Sequence, residues 1–413
     1  MFEHILRLIW NRRRASRLVT LEVAAAFFVV FVVLALALDA RANYQRPLGF
    51  TYRNVWRVSV GNPAITAQVG RQPVDVRDTI DQILAAIRLL PGVEGAHSIQ
   101  LTPYGGGAWI GSMGPQGAPS STRMNRLSAG GAKELGVRIV EGRSFGPEDD
   151  GQDYRAALVN RDFVNLVYGG ASPLGQRINS APPGAEKFLA LMTPKEAREA
   201  AREIRPVGVI EDFRQDGEFS ARGPYLILRE ERADAGFSDL FVRVASGADR
   251  RLEEKIVTAV RNAASGFNAT VTPWEELRAT SHLATLLPLR IGATLAAFLL
   301  AMVALGLIGI VWQDVVRRTQ EIGVRRAAGA SAAAVRAQIL FEVMVIGCAG
   351  IVIGSLVAIQ IPLLSIVKQI DWAAAVPALG LSAVLILLLA AGAALYPARL
   401  ASRREPADAL RYE

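Results

Sequence analysis

The sequence predicts an α-helical membrane protein whose four transmembrane helices carry one large α+β extracytoplasmic domain between the first helix and the second. Three observations lead there. The 413 residues are 51% hydrophobic and only 20% charged, with a mean hydropathy of +0.26, as expected of a chain partly solvated by lipid. The apolar residues are gathered in four blocks. The arginines are gathered beside those blocks, all on one predicted side of the membrane.

Residues 1–17 read as a cytoplasmic amphipathic segment, and the first block, 18–38, has Glu22 as its only charge. About 20 apolar residues suffice to cross ~30 Å of hydrocarbon. Arg12, Arg13, Arg14 and Arg17 precede this block as they would in a signal peptide, but the apolar run is too long and no small-x-small cleavage site follows. It therefore reads as an uncleaved anchor. The second block, 289–312, carries Arg290 near its start, where a long side chain snorkels to the interface. The third, 337–367, holds Glu342 and Pro362 and is long enough to tilt or kink. The fourth, 372–396, is bracketed by Trp372 and Tyr396, as interfacial aromatics often are.

The segments before the first span, between the second and third, and after the fourth hold fourteen arginines against six acidic residues. That excess equals the whole net charge of +8. Both termini and the 313–336 loop are thereby assigned to the cytoplasm, leaving 39–288 and the short 368–371 turn outside. The pI near 9.9 is then a topology signal, and no nucleic-acid partner is expected.

Within 39–288, strand patterns occur at 55–60, 156–159, 207–210, 225–228 and 240–244, and helix patterns at 76–90, 194–201 and 249–264. Ile80, Ile83, Leu84, Ile87 and Leu90 form one stripe ending at Pro91-Gly92, the mark of a helix laid on a sheet. The Gly- and Pro-rich run 102–121 reads as a long surface segment without assignable structure. Glu94, Glu141, Glu148, Asp149, Asp150, Glu211 and Asp212 show no catalytic spacing and read as solvated surface. His4, His97 and His282 are too dispersed for a metal site, and the lone Cys348 excludes an intramolecular disulfide. No GxxxxGK[ST] occurs, so the chain is expected to be a non-catalytic membrane subunit that binds no cofactor directly.

In the 313–336 loop, Glu321 stands four residues before Arg325 and four after Arg317, Gly329 reads as a helix stop and Ser331 as the next N-cap. A short amphipathic helix follows from this spacing, suited either to resting on anionic lipid or to passing motion to a cytoplasmic partner. A carboxylate in hydrocarbon must be paired, hydrated or protonated. Glu342 is accordingly either a structural partner of the loop arginines or a coupling residue, and Glu22 has the same two readings. Gly306, Gly309, Gly347, Gly350 and Gly354 allow close helix approach without naming a partner.

The loop residues Thr319, Glu321, Ile322, Gly323, Arg325, Arg326, Ala327, Gly329 and Ala330, followed by Phe341-Glu342, resemble the TxEIGxxRAxGA-like loop of FtsX/MacB-like ABC transporter permeases. The ending Pro397, Ala398, Arg399, Ala401, Arg403, Pro406, Ala409, Leu410 and Arg411 resembles that family's tail. Weaker likenesses to its periplasmic core domain run in order through Pro91-Gly92-Val93, the GGG segment, Leu135-Gly136, Glu141-Gly142-Arg143, Val159-Asn160, Pro173-Leu174-Gly175 and 207–212.

The resemblance implies a permease or mechanotransmission subunit in the bacterial inner membrane, exporting or extruding a substrate. It would act as a homodimer, or a heterodimer with a related permease, driven by a separate cytoplasmic ABC ATPase that uses ATP and Mg. It assigns Arg317, Arg318, Glu321, Ile322, Gly323, Arg325, Arg326 and Gly329 to ATPase coupling, Glu22 and Glu342 to polar membrane sites, and Arg399, Arg403, Pro406 and Arg411 to the cytoplasmic tail. Met1 to Arg14 match the family's cytoplasmic amphipathic helix. Some members work with a periplasmic adaptor or substrate protein. The alternative implied is a non-transporting regulator of a periplasmic partner such as a cell-wall hydrolase or a signalling protein. No ATPase sequence precedes the first span, so a stand-alone permease is expected, and the stretch from Arg177 to Arg205 is read as member-specific.

Overall fold

The computed structural model describes residues 13–61, 77–113, 120–178, 203–231 and 239–403. In chain order the elements are α1 (Arg13–Tyr44), β1 (Val55–Gly61), α2 (Arg77–Arg88), β2 (Val93–Ile99), β3 (Trp109–Met113), β4 (Ser120–Leu127), α3 (Gly131–Glu134), β5 (Ile139–Gly142), β6 (Tyr154–Asn160), α4 (Arg161–Tyr168), β7 (Glu203–Ile210) and β8 (Tyr225–Arg229). They continue with β9 (Asp239–Val244), α5 (Arg250–Ala263), β10 (Asn268–Pro273), α6 (Trp274–Arg317), α7 (Thr319–Ala327), α8 (Ala332–Ala358), α9 (Gln360–Leu363) and α10 (Trp372–Arg403). Two compact units result. One is Asn43–Ala284, and the other combines the segment up to Ala42 with that from Thr285.

In the membrane unit, four helices are long and apolar enough to span a bilayer: Arg17–Tyr44, Trp274–Arg317, Ala332–Leu363 and Trp372–Leu400. Val23, Phe27 and Phe31 of α1 are buried against one core with Val303, Leu307 and Val311 of α6, Val343 of α8 and Ile386 and Ala390 of α10. Gly350 and Gly354 seat α1 on α8. An added Cβ at Gly350 would fall 2.5 Å from Val23 Cγ1 and 3.0 Å from the Thr20 carbonyl oxygen, and one at Gly354 2.9 Å from the Ala24 carbonyl oxygen. The small-residue spacing thus has a definite partner, as close backbone approach requires.

The second long helix begins at Trp274, well before the 289 expected from hydropathy. Residues 274–288 are polar enough to hide from an apolar window but contain no helix breaker before Pro288, which removes one hydrogen bond without ending the helix. The first helix likewise runs past 38, to Tyr44. In the turn before α10, Asp371 caps the helix, its Oδ1 accepting from Ala374 N at 2.9 Å.

The other unit is built on one ten-stranded sheet, ordered β10-β1-β9-β2-β4-β8-β6-β7-β5 with β3 beside β4. The first four strands pair antiparallel, and with α2 and α5 they follow a β-α-β-β-α-β course into which 100–238 is inserted. Ile83 and Ile87 of α2 and Leu252, Ile256 and Val260 of α5 bury their stripes on this half. Asp249 starts α5 by accepting from Arg251 N and Leu252 N. In the inserted half, β4/β8 and β6/β7 are parallel.

The five predicted strands lie in β1, β6, β7, β8 and β9, whereas β2, β3, β4, β5 and β10 were not read from the sequence. The run 102–121 is corrected: it contains β3 and the start of β4, paired from Trp109↔Met124 to Met113↔Ser120. Its glycines hid the strand, while Arg126 covers the Trp109 ring at 4.5 Å. The helix expected at 194–201 lies outside the described residues. Two of the carboxylates read as solvated are buried. Asp149 accepts from Arg143 at 2.6 and 2.8 Å and from Gly146 N at 2.9 Å, and Asp212 meets Arg222 at 3.1 Å. Burial opposes ionisation of Asp149, but these bonds outweigh it and hold its carboxyl below the usual range.

Candidate functional site

The 313–336 segment folds as two helices with a break at Arg318. Beside the break the Thr319 hydroxyl donates to the Val315 and Val316 carbonyls at 2.9 and 3.0 Å, a back-bond of the kind that bends helices. Among the described residues no ion pair joins Arg317 to Glu321. Glu321 pairs with Arg325, at 2.5 Å, at the expected i,i+4 spacing. Gly329 ends the turn at φ +96, which favours glycine, and Ser331 accepts from Ala334 N at 3.2 Å to start α8.

A chain of hydrogen bonds then joins α7 to α8. Arg325 Nη1 donates to Gln338 Oε1 at 3.0 Å, and Gln338 Nε2 donates to Glu342 Oε1 at 3.3 Å. Arg318 Nη1 donates to both Glu342 oxygens, at 3.0 and 3.2 Å. Arg318 and Glu342 are both mostly shielded from solvent, at 18% and 16% side-chain exposure, so the ion pair answers the cost of placing a carboxylate on a membrane helix. Glu321, Val324 and Arg325 are exposed, Gly323 is buried, and the backbones of Ile322 and Arg326 lie within α7.

The structure therefore brings Arg318, Glu321, Arg325 and Glu342 into one network, with Arg317 exposed at the end of α6. Glu22 stands apart, packed at Gly306 of α6, where an added Cβ would fall 3.1 Å from its Oε2. Arg399 is exposed on α10, while the Arg403 side chain, Pro406, Arg411 and the segment from Met1 to Arg12 lie outside the described residues. Gln338 was missed, although its place four residues before Glu342 on the same helix face was a usable signal. Val324 was missed too, being an apolar residue left 57% exposed beside Arg325. Among the described residues no three His, Cys, Asp or Glu side chains converge as a metal site.

Residues 293–406 match the family model described as FtsX-like permease C-terminal. Over 411 residues the chain is 23% identical to the macrolide export ATP-binding/permease protein MacB of Bdellovibrio bacteriovorus, covering 96% of this chain and 59% of that protein. It is also 23% identical over 306 residues to the uncharacterized ABC transporter permease YknZ of Bacillus subtilis, covering 70% of each. The periplasmic region of MacB from Actinobacillus actinomycetemcomitans aligns with a TM-score of 0.35 at 11% identity, over 56% of this chain and 94% of that one.

Proposed function

Because this chain is an ABC transporter permease of the FtsX/MacB family, we propose that it is the membrane subunit through which a cytoplasmic ABC ATPase drives conformational change in an external domain, for export or extrusion. The observation that carries this reading is the hydrogen-bonded chain Glu321–Arg325–Gln338–Glu342–Arg318. Its outer end is an exposed helix face on which Val324 offers an apolar anchor between charges, a form suited to a partner's groove. Its inner end is fixed to the start of a membrane helix. A load on α7 would move α8 with it, since breaking the link strands a shielded carboxylate. ATP and Mg belong, in this reading, to the partner ATPase, and a second permease copy completes the transporter.

Membership of the family and the arginine-rich segments together support a multi-pass protein of the bacterial inner membrane with α7 and both termini in the cytoplasm. The test is to purify the full-length chain from its native membrane in mild detergent and to identify stoichiometric partners by mass spectrometry. A Walker-motif ATPase is expected. Arg325→Glu should weaken its association at least tenfold, while Glu342→Gln should keep association and lower stimulated ATP turnover severalfold. Unchanged affinity in the first variant and unchanged turnover in the second would remove these roles.

A further inference from the structure

Within Asn43–Ala284, the loop 211–220 between β7 and β8 carries two buried ionic side chains that face opposite ways along the chain. Arg214 is 3% exposed, and its guanidinium donates to four backbone carbonyls: Asn43 at 2.8 Å, Arg46 at 3.2 Å, and Glu218 and Ser220 each at 2.5 Å. Its own N–H donates to the Leu48 carbonyl at 2.9 Å. Nearby, Gly49 has φ +84, and an added Cβ would overlap the Asp212 carbonyl. At Gly49 the chain is thus laid directly on the loop, with no space there for a side chain.

Glu218, 6% exposed, faces the other segment. Its Oε1 accepts from Arg278 Nε at 2.5 Å, and its Oε2 meets His282 Nε2 at 2.9 Å and the Tyr104 hydroxyl at 3.3 Å. Burial resists a charge there, yet the bonds from His282 and Arg278 outweigh it and hold the carboxyl below its ordinary range. An aromatic seam repeats the connection: Tyr44 stacks on Phe219 at 5.5 Å, and His282 meets Phe219 edge-on at 4.9 Å.

Buried ionic groups stabilise little on balance, because desolvation offsets the attraction, but they tolerate few geometries. Here both act from one short loop. Asn43 and Tyr44 are the last residues of the first long helix, and 274–284 are the opening turns of the second. We propose that loop 211–220 is a clasp that makes the segments 43–46 and 274–284 move as one body, with Arg214 and Glu218 as its positioning residues. Motion entering by either segment is then shared by both before it reaches the sheet. The coupling stands on the geometry of this unit alone, and its use in transport rests on the permease reading above.

The test measures amide hydrogen exchange of the full-length chain in lipid nanodiscs for wild type, Arg214→Lys, Glu218→Gln and Arg278→Lys. Each variant should raise exchange at the segment it touches, and the decisive readout is the other one. Glu218→Gln should raise exchange at 43–46 at least fivefold, although Glu218 has no side-chain bond there. Arg214→Lys should do the same at 274–284, and protection in β6 and β8 should not change. The conservative Arg278→Lys, which keeps a charge for Glu218, should restore most of the protection at 43–46 relative to Glu218→Gln. Exchange raised only at the touched segment, or raised equally throughout the sheet, would overturn the clasp. With the co-purified ATPase added, Glu218→Gln should lower stimulated turnover with unchanged affinity; a wild-type chain that stimulates no ATPase would refute the permease reading while leaving the exchange result to decide the clasp.

Discussion

His97 shows how a residue that sequence spacing dismisses acquires a definite role from its surroundings. On β2 its ring stacks on Phe241 at 5.5 Å and its Nδ1 lies 3.4 Å from the Ser128 hydroxyl. Burial, and then the positive charge of Arg88, pull its pKa from 6.5 to about 4, against a backbone hydrogen bond at Ala129. The folded value lies below the unfolded one, so the unfolded chain takes up the proton first. The neutral ring's contribution is complete above about pH 6.5 and is lost as pH falls toward 4. The unfolding midpoint of the full-length chain in detergent should therefore drop between pH 7 and 4.5, and His97→Gln should flatten part of that drop. Parallel profiles for the two proteins would show that His97 does not contribute. At this scale the sequence exposed what local spacing encodes: Glu321 with Arg325, the stop at Gly329, the cap at Ser331 and the need of Glu342 for a partner. Arg214 and Glu218 stayed hidden because their partners stand far away in the chain, at Asn43 and Arg278.

The elements with a strong period were legible for the same reason, since α2 and α5 each carry a stripe that only burial explains. Strands β2 and β3 were not: Gly95 and Gly111 interrupt their alternation, and each glycine answers a crowd of atoms from elsewhere, Glu134 in the first case and Met124 in the second. Between membrane helices, glycine content announced close approach but not the partner, which is α1 through Thr20, Val23, Ala24 and Phe27. A leucine at Gly350 or Gly354 has no space against those backbones. Gly350→Leu should destabilise the helix packing by about 1–3 kcal/mol, the usual cost of overpacking. Gly309→Leu should be nearly neutral, because nothing lies within 4 Å of an added Cβ there. The comparison is read as the loss of folded, monodisperse protein on heating in detergent. Equal behaviour of the two variants would mean that the α1–α8 seat does not hold the helices.

For the whole chain the leading physical fact is where the charge sits. The segments flanking the membrane helices on one side account for the net +8, so the remaining residues sum to neutrality despite their many arginines. Within Asn43–Ala284 arginines are consumed in pairs such as Arg57 with Asp239, Arg143 with Asp149 and Arg278 with Glu218. The excess near the spans has a different cause, since arginine beside a span resists translocation and favours a cytoplasmic position for its segment. The proposed topology, with α7 cytoplasmic and 39–288 external, is open to a direct labelling test. Cys348 is the lone cysteine, so a Cys348→Ser chain gives a clean background for new thiols. Asp153→Cys, at an exposed position beside β6, should react with a membrane-impermeant maleimide once the outer barrier is opened, with the inner membrane intact. Arg325→Cys, exposed on α7, should react only after the inner membrane is permeabilised. Labelling of both from the same side would contradict the orientation, and with it the assignment of α7 as the surface that meets a cytoplasmic ATPase.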